Sequence, residues 1–396
     1  MVTRRYWPHM GDDAASRLSA LVDGLQRSGI RPSIVAARYA ASWPKELTVR
    51  EIPIYRPAPA PRSDWSMVRY ARSLTNWLRE QAPAYDLLYA DAMREEAAIV
   101  IDAAKRAGIP SVVRYSGIGK FSDAAWWQSS RSAKRCKSVC LKADAIIAVR
   151  ASAEQELLSA GVPRQRIHRI DNGFLPGPAR EESTRLAARS ALSHVNSDLF
   201  VPVDGKVLLT TNRMTDQGGL QSLVNALPAV FDRHPTLRVW LVGDGNQRED
   251  LYDYLRSHGV HSLVSMPGSF TSFEELLLAA DYYALPQSTD GMEYYLPRVL
   301  GAGLPAVVAD TVETRRLLGD SFADVIPFAA ESPQSIGRAV DAMLADDASA
   351  QEAARRVRQA VLQVSFGNTV AQHLRLFCQL SGKNVTGNPT TAELLP

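Results

Sequence analysis

Cysteine is scarce in this chain, with three residues among 396. So small and odd a number argues against a disulfide framework and fits a reducing compartment. No apolar run approaches the roughly 18–20 residues that a membrane-spanning helix requires. The opening residues have no apolar stretch of the secretory kind, because Thr3, Arg4 and Arg5 follow Met1 and Val2. Charge of one sign is lacking too. Lys and Arg number 45 against 42 Asp and Glu, a formal net charge of +3, which argues against a dedicated nucleic-acid binder. What is there is an ordinary globular composition, 46% hydrophobic and 22% charged, on a length that suits two domains with a core each. The expectation is a cytoplasmic protein.

Strand-like and helix-like runs alternate through the first half. Residues 33–37, 85–89, 111–115, 145–149 and 167–170 read as strands, with helices over 14–27, 95–107 and 151–160. For the opening strand only Met1 and Val2 are available, so it is either stunted or begins upstream. Residues 175–179, with two prolines and a glycine, mark a break. The alternation then restarts, with strands over 206–211, 238–242, 263–266, 282–285, 306–309 and 325–327. Helices over 220–233, 247–258, 272–279, 296–301 and 335–345 separate or follow them. Strands alternating with helices of about 10–15 residues indicate parallel, doubly wound sheets. The fold class is α/β, two doubly wound Rossmann-like domains facing across a cleft. The boundaries fall at 1–179 and 180–365, with a helix over 366–381 crossing back to the first domain and a polar, turn-rich tail over 382–396 expected to be disordered.

Four stretches carry chemistry, each beside a plainer reading. Tyr6-Trp7-Pro8-His9-Met10-Gly11-Asp12-Asp13 leads from the first strand into a helix, where backbone N–H groups receive an anion or polar ligand; it also reads as a simple turn. Asp171-Asn172-Gly173-Phe174 is by itself a turn signal. Thr211 to Gly219 contains Arg213, then Gly218 and Gly219 at a helix start. Arginine there faces phosphate oxygens, or else it is solvated on an open loop. Leu285 to Pro305 is a strand, an acidic glycine loop through Asp290, Gly291, Met292 and Glu293, a helix carrying Arg298, and a Gly-x-Gly-x-Pro turn. Asp290 accepts sugar hydroxyls, or it or Thr289 caps the helix.

In order and spacing these stretches resemble the GT-B glycosyltransferases, nearest to the retaining family 4 group (glycosyl transferases group 1), over roughly residues 1–380. Pro8-His9-Met10-Gly11-Asp12 stands for the family's glycine loop and Asn172-Gly173-Phe174 for its Asn-Gly turn. Arg213 stands for its strand-end arginine and Val242-Gly243-Asp244-Gly245 for its Val-Gly-x-Gly turn. Pro267-Gly268, Ala280-Asp281 and Leu285-Pro286-Gln287-Ser288 follow in order. The resemblance implies a hexosyltransferase-type enzyme that moves a sugar from a nucleotide-diphosphate sugar to a hydroxyl acceptor, a glycan, lipid-linked saccharide or small molecule. Retention without a metal is implied, with no cofactor besides the donor itself. By the same resemblance Arg213 and Asp290 are catalytic. Gly218, Gly219, Gly243, Asp244, Gly291, Met292, Glu293 and Arg298 bind the donor, and His9, Gly11, Asp12, Ser116, Gly117 and Gly119 form acceptor-side loops.

Three positions depart from the family. Of its two glutamates with seven residues between them, the first is Asp290 and the second, which holds the ribose, is Arg298. Arginine only donates hydrogen bonds. It therefore turns away from the nucleotide, donates to ribose oxygens, or pairs with an acidic neighbour such as Asp290 or Glu293. The phosphate-binding lysine five residues after the arginine is Gly218, and a histidine after an early strand is Ser116. These exchanges admit two alternatives, a weakened homologue acting as a binding or scaffolding subunit and a nucleotide-sugar epimerase using Asp290 with Glu293. Arg131, Lys134, Arg135, Lys137 and Lys142 beside Trp126 and Trp127 read first as a solvated helix face. Peripheral contact with anionic lipid, at the inner face of a membrane, is the alternative. Cys136 and Cys140, at i and i+4, have no ligand partners at metal-site spacing and read as ordinary thiols.

Overall fold

The computed structural model describes residues 1–6, 13–173, 180–216, 218–268, 273–288, 292–363 and 366–383. The chain forms two compact units, Met1–Gly173 with Val364–Pro396, and Phe174–Gln363.

The strands of the first unit are β1 (Ile34–Val35), β2 (Glu46–Val49), β3 (Ile52–Tyr55), β4 (Leu88–Ala90), β5 (Ser111–Tyr115), β6 (Ala145–Ala148) and β7 (Ile167–Arg169). β4 to β7 lie side by side in chain order, all parallel, and β1, β3 and β2 form a three-stranded sheet. Val2 joins the two, bridging Val35 on one side and Ala90 on the other. Two positions on, Arg4 leaves the sheet to pair with Glu95 and Glu96.

The β2–β3 hairpin and the helix Asp64–Gln81 have no counterpart in the sequence reading. The hairpin turns through Arg50 and Glu51 at φ of 49° and 66°, where glycine or asparagine normally signals a turn. The helix buries only Tyr70, Leu74 and Leu78, a stripe too thin to stand out. The C-terminal helix Phe366–Ser381 belongs to this unit. Thr369 anchors it, its Oγ1 accepting from the Gly173 N–H at 2.8 Å and donating to the Asp171 carbonyl at 2.9 Å.

The second unit is a six-stranded sheet of β8 (Lys206–Thr210), β9 (Leu237–Val242), β10 (Val264–Gly268), β11 (Tyr282–Leu285), β12 (Ala306–Ala309) and β13 (Ile326–Phe328). The order is β10-β9-β8-β11-β12-β13, all parallel. β11 and β12 are buried along their whole length, as strands covered on both faces must be. Helix Glu182–Val195 is stapled to the sheet through Asp281, which accepts from Arg185 and Arg189 at 2.5 Å each and from the Val207 N–H at 2.7 Å. Pro297, next to the first residue of a helix in the sequence reading, lies inside a helix that begins at Met292. Helix Asp347–Leu362 was not legible because the residues it buries are Ala350, Ala354 and Val357, mostly too small to mark a face.

Candidate functional site

The strand order of the second unit reverses between β8 and β11. Beyond the carboxyl ends of those strands lies the crevice in which open α/β sheets receive their ligands. The loop after β8 carries Arg213, Gly218 and Gly219, and the loop after β11 leads to Met292 and Glu293. Asn212, 1% exposed, ties the two together, its Nδ2 donating to the Gly218 carbonyl at 2.7 Å and to the Gln287 carbonyl at 3.1 Å. Its Oδ1 is buried with no partner among the described residues. Thr211 Oγ1 and Tyr283 Oη, 2.8 Å apart, cross-link the same strand ends.

The lysine absent at position 218 has a steric explanation. A Cβ on Gly218 would stand 1.9 Å from the Arg213 carbonyl oxygen. The turn is tight because Thr215 N–H donates to that carbonyl at 2.9 Å and Gly218 N–H to the Thr215 carbonyl at 2.8 Å. In this loop no side chain fits there. Gly219 follows at φ 69°, where a Cβ would meet Gln287 Cβ at 2.6 Å. It opens helix Leu220–Arg233, which has no side-chain cap, so its first N–H groups are available to an anion. Arg213 is exposed, and its side chain makes no hydrogen bond or ion pair among the described residues.

Of Gly243 and Asp244, placed with the donor by resemblance, Asp244 is bonded to this loop and Gly243 to the end of β10. Met214 N–H donates to the Asp244 carbonyl at 3.1 Å and Gly243 N–H to the Gly268 carbonyl at 3.0 Å. The Asp244 carboxylate accepts from Gly245 N–H at 2.8 Å.

Arg298 has a partner that no spacing pointed to. It donates to Glu274 Oε1, and its guanidinium lies 5.8 Å from the centroid of the Phe273 ring. Glu274 Oε2 accepts from the Phe273 N–H at 3.2 Å. Burial acts to raise the Glu274 carboxyl, but Arg298 and the backbone amides outweigh it and hold the group below its ordinary value. Met292 and Glu293 are buried in the first turn of their helix. Asp290 and Gly291 lie outside the described residues, as do His9, Gly11 and Asp12 of the first unit.

In the first unit Ser116, Gly117 and Gly119 follow β5. Asp123, fully buried, fixes them. Its carboxylate accepts from Met93 N–H and Ser116 N–H at 2.9 Å each, from Ser116 Oγ at 3.1 Å and from Arg94 Nε at 3.2 Å. Arg150 donates to the Gly117 carbonyl at 2.5 Å, and Gly119 begins the short turn Gly119–Phe121. Neighbouring Asp91 is buried against Arg17 and accepts from Tyr89 Oη at 2.9 Å. Arg114 donates to Asn172 Oδ1 at 3.1 Å, so the Asn172-Gly173 turn is bound into the sheet end. Neither Asp123 nor Glu274 was signalled by the sequence, since each is held in part by a partner distant in the chain, Met93 for one and Arg298 for the other.

The basic residues Arg131, Lys134, Arg135 and Lys137 lie on the helix Arg131–Cys140. Trp127 is 2% exposed, with its Nε1 donating to the Met93 carbonyl at 2.9 Å, and Arg94 lies over Trp126. Of the two tryptophans, Trp127 is packed inside and Trp126 is half-buried. Burial raises both helix thiols, Cys136 to about 11. Among the described residues no helix is long and apolar enough to cross a membrane.

A family model described as Glycosyltransferase Family 4 matches residues 14–174, and one described as Glycosyl transferases group 1 matches residues 205–346. An uncharacterized glycosyltransferase of Methanocaldococcus jannaschii is 25% identical over 204 residues, 51% of each chain. The lipopolysaccharide core biosynthesis glycosyltransferase LpsE of Rhizobium meliloti is 22% identical over 158 residues, 40% of this chain and 45% of that one. The chain spans about half the length, or less, of the curated relatives it matches. The structure of Anabaena HepE in complex with UDP-glucose superposes with a TM-score of 0.72 at 16% identity, covering 96% of this chain and 98% of that one. At that identity the likeness is one of fold.

Proposed function

The chain belongs to the GT-B glycosyltransferases of the family 4 and group 1 type, and from that premise we propose that it transfers a sugar from a nucleotide-diphosphate sugar to a hydroxyl acceptor with retention. The observation that carries this reading is Arg213, exposed and without a partner among the described residues, beside the uncapped helix start at Gly219. In the transfer the bond from the anomeric carbon to the diphosphate oxygen breaks and a bond to the acceptor oxygen forms, while the acceptor's proton passes to the departing diphosphate. Negative charge grows on the departing diphosphate. The Arg213 guanidinium and the helix N–H groups meet that charge, and each such donor is worth on the order of 10²–10³ in rate. Asp290 receives hydroxyls of the sugar. The name of the relative LpsE supports a saccharide or lipid-linked acceptor, which the loop fixed by Asp123 receives on the first unit.

The test is a thermal-shift panel of UDP, GDP and ADP with their glucose conjugates. Binding to the native state alone adds about 2.7 kcal/mol of stability at a ligand concentration 100 times the dissociation constant. A rise in melting temperature with one of these pairs is the expected result, and no shift with any of them defeats the reading. A second reading, a homologue that binds the donor and turns it over slowly, is favoured by the engagement of Arg298 with Glu274 and by the bare Gly218. Release of nucleoside diphosphate from the bound donor separates the two.

A further inference from the structure

Glu274 and Arg298 come from the segments that leave β10 and β11, which stand on either side of β9 and β8 in the sheet. Both segments leave the carboxyl edge, the same edge that carries Arg213 and Gly219. The ion pair therefore joins the segment after β10 to the last turn of the helix after β11. Three features prepare the Glu274 carboxylate to take a ligand. Arg298 and the Phe273 N–H fix its direction, one on each oxygen. These donors, with Arg298 the larger influence against burial, keep it ionised. Its side chain is 41% exposed, so it is reachable, while Arg298 beneath it is 25% exposed and covers the Phe273 ring.

A carboxylate is the side chain that accepts from two adjacent hydroxyls at once, whereas a guanidinium accepts from none. With the diphosphate at Gly219, the next polar part of a nucleotide is its ribose, which presents such a diol. Resting on the donor reading above, we infer that Glu274, held in place by Arg298, receives the ribose hydroxyls of the donor nucleotide. Arg298 is then a positioning residue.

The experiment compares the dissociation constants of UDP, GDP and ADP with those of their 2′-deoxy and 3′-deoxy counterparts, for the wild-type chain and for Glu274→Gln and Glu274→Asp. A charge-assisted hydrogen bond to a hydroxyl corresponds to a preference of about tenfold or more for the ribose form. The wild type should show that preference and Glu274→Gln should lose most of it, with its affinity for the deoxy form within about threefold of wild type. Glu274→Asp should keep part of it. A wild type that binds the ribose and deoxy forms equally overturns the inference without any variant. A preference unchanged in both variants overturns it as well, while leaving the donor reading intact. A wild type that binds none of the nucleotides overturns the donor reading, and this inference with it.

Discussion

Arg298 and Glu274, 24 residues apart in the chain, meet as an ion pair over the Phe273 ring. The pair turns a charge reversal into a matched exchange, because the cation at 298 is balanced by an anion brought from the segment after β10.

Restoring glutamate at 298 is therefore expected to harm the protein. Arg298→Glu sets two carboxylates side by side at a site only partly exposed to solvent. Discounted for that exposure, the loss of stability should be roughly 1 kcal/mol. The exchanged double variant Glu274→Arg with Arg298→Glu should recover most of it, since contacting residues are coupled. Urea unfolding of the two single variants, the double and the wild type measures the coupling. A single Arg298→Glu variant as stable as wild type would show that the pair does not bear on the fold.

Gly218 permits a sharper test. Substitution to lysine restores the residue type that the family resemblance implies, yet its Cβ would collide with the Arg213 carbonyl 1.9 Å away. Gly218→Ala meets the same obstacle and adds no charge. Both variants should lose about 1–3 kcal/mol of stability, the range for overpacking a close contact, and both should bind nucleoside diphosphates more weakly because Arg213 is displaced. Calorimetric melting with UDP titration on both variants checks this. Stronger binding by Gly218→Lys at unchanged stability would show that the loop opens to admit a side chain.

These two sites mark where sequence reading reached and where it stopped. The alternation of the second unit was legible because each strand is a short apolar run closed by a helix with its own stripe, as in β11 and helix Leu220–Arg233. The hairpin was not, because Arg50 and Glu51 adopt a turn conformation that their side chains do not advertise. In that loop, the helix start after Gly218 and Gly219 could be read from order and spacing. That Gly218 is a steric necessity could not, since its constraint is a backbone oxygen. Glu274 and Asp123 were invisible for a related reason. Their roles come from partners on other segments, such as Arg298 and Met93, which only the fold brings near.

The C-terminal helix carries a pH dependence. His373 is buried among Tyr89, Phe377 and the Arg17–Asp91 pair, and its Nδ1 faces the Thr369 carbonyl at 2.8 Å. Burial pushes its pKa down from 6.5 to about 4. The folded state thus binds this proton less readily than the unfolded chain does. Its stabilisation is fully present above about 6.5 and is lost as pH falls toward 4, by roughly 3 kcal/mol at the lower end. His373→Phe, which keeps an aromatic ring and does not titrate, should flatten this part of the profile. Urea unfolding of both proteins at pH 7, 5.5 and 4.5 reads the difference, and parallel profiles would exclude His373 as its source.

Arg213 bears the most weight in the functional reading, and its removal is the most direct test. The side chain makes no hydrogen bond or ion pair among the described residues and is exposed, so Arg213→Ala should leave the melting temperature of the free protein nearly unchanged. Against a nucleoside diphosphate it should cost about 1.5–3 kcal/mol, the value of a charge-assisted hydrogen bond. Against the corresponding nucleoside, which has no phosphate, it should cost almost nothing. Arg213→Lys should fall between, because an ammonium keeps the charge and gives up the two-pronged geometry. Isothermal titration with UDP and uridine, or with whichever nucleotide pair binds, separates these outcomes. Equal losses for diphosphate and nucleoside would mean that Arg213 shapes the loop and does not meet the phosphates, and the diphosphate would then have to lie elsewhere along the carboxyl edge of the sheet.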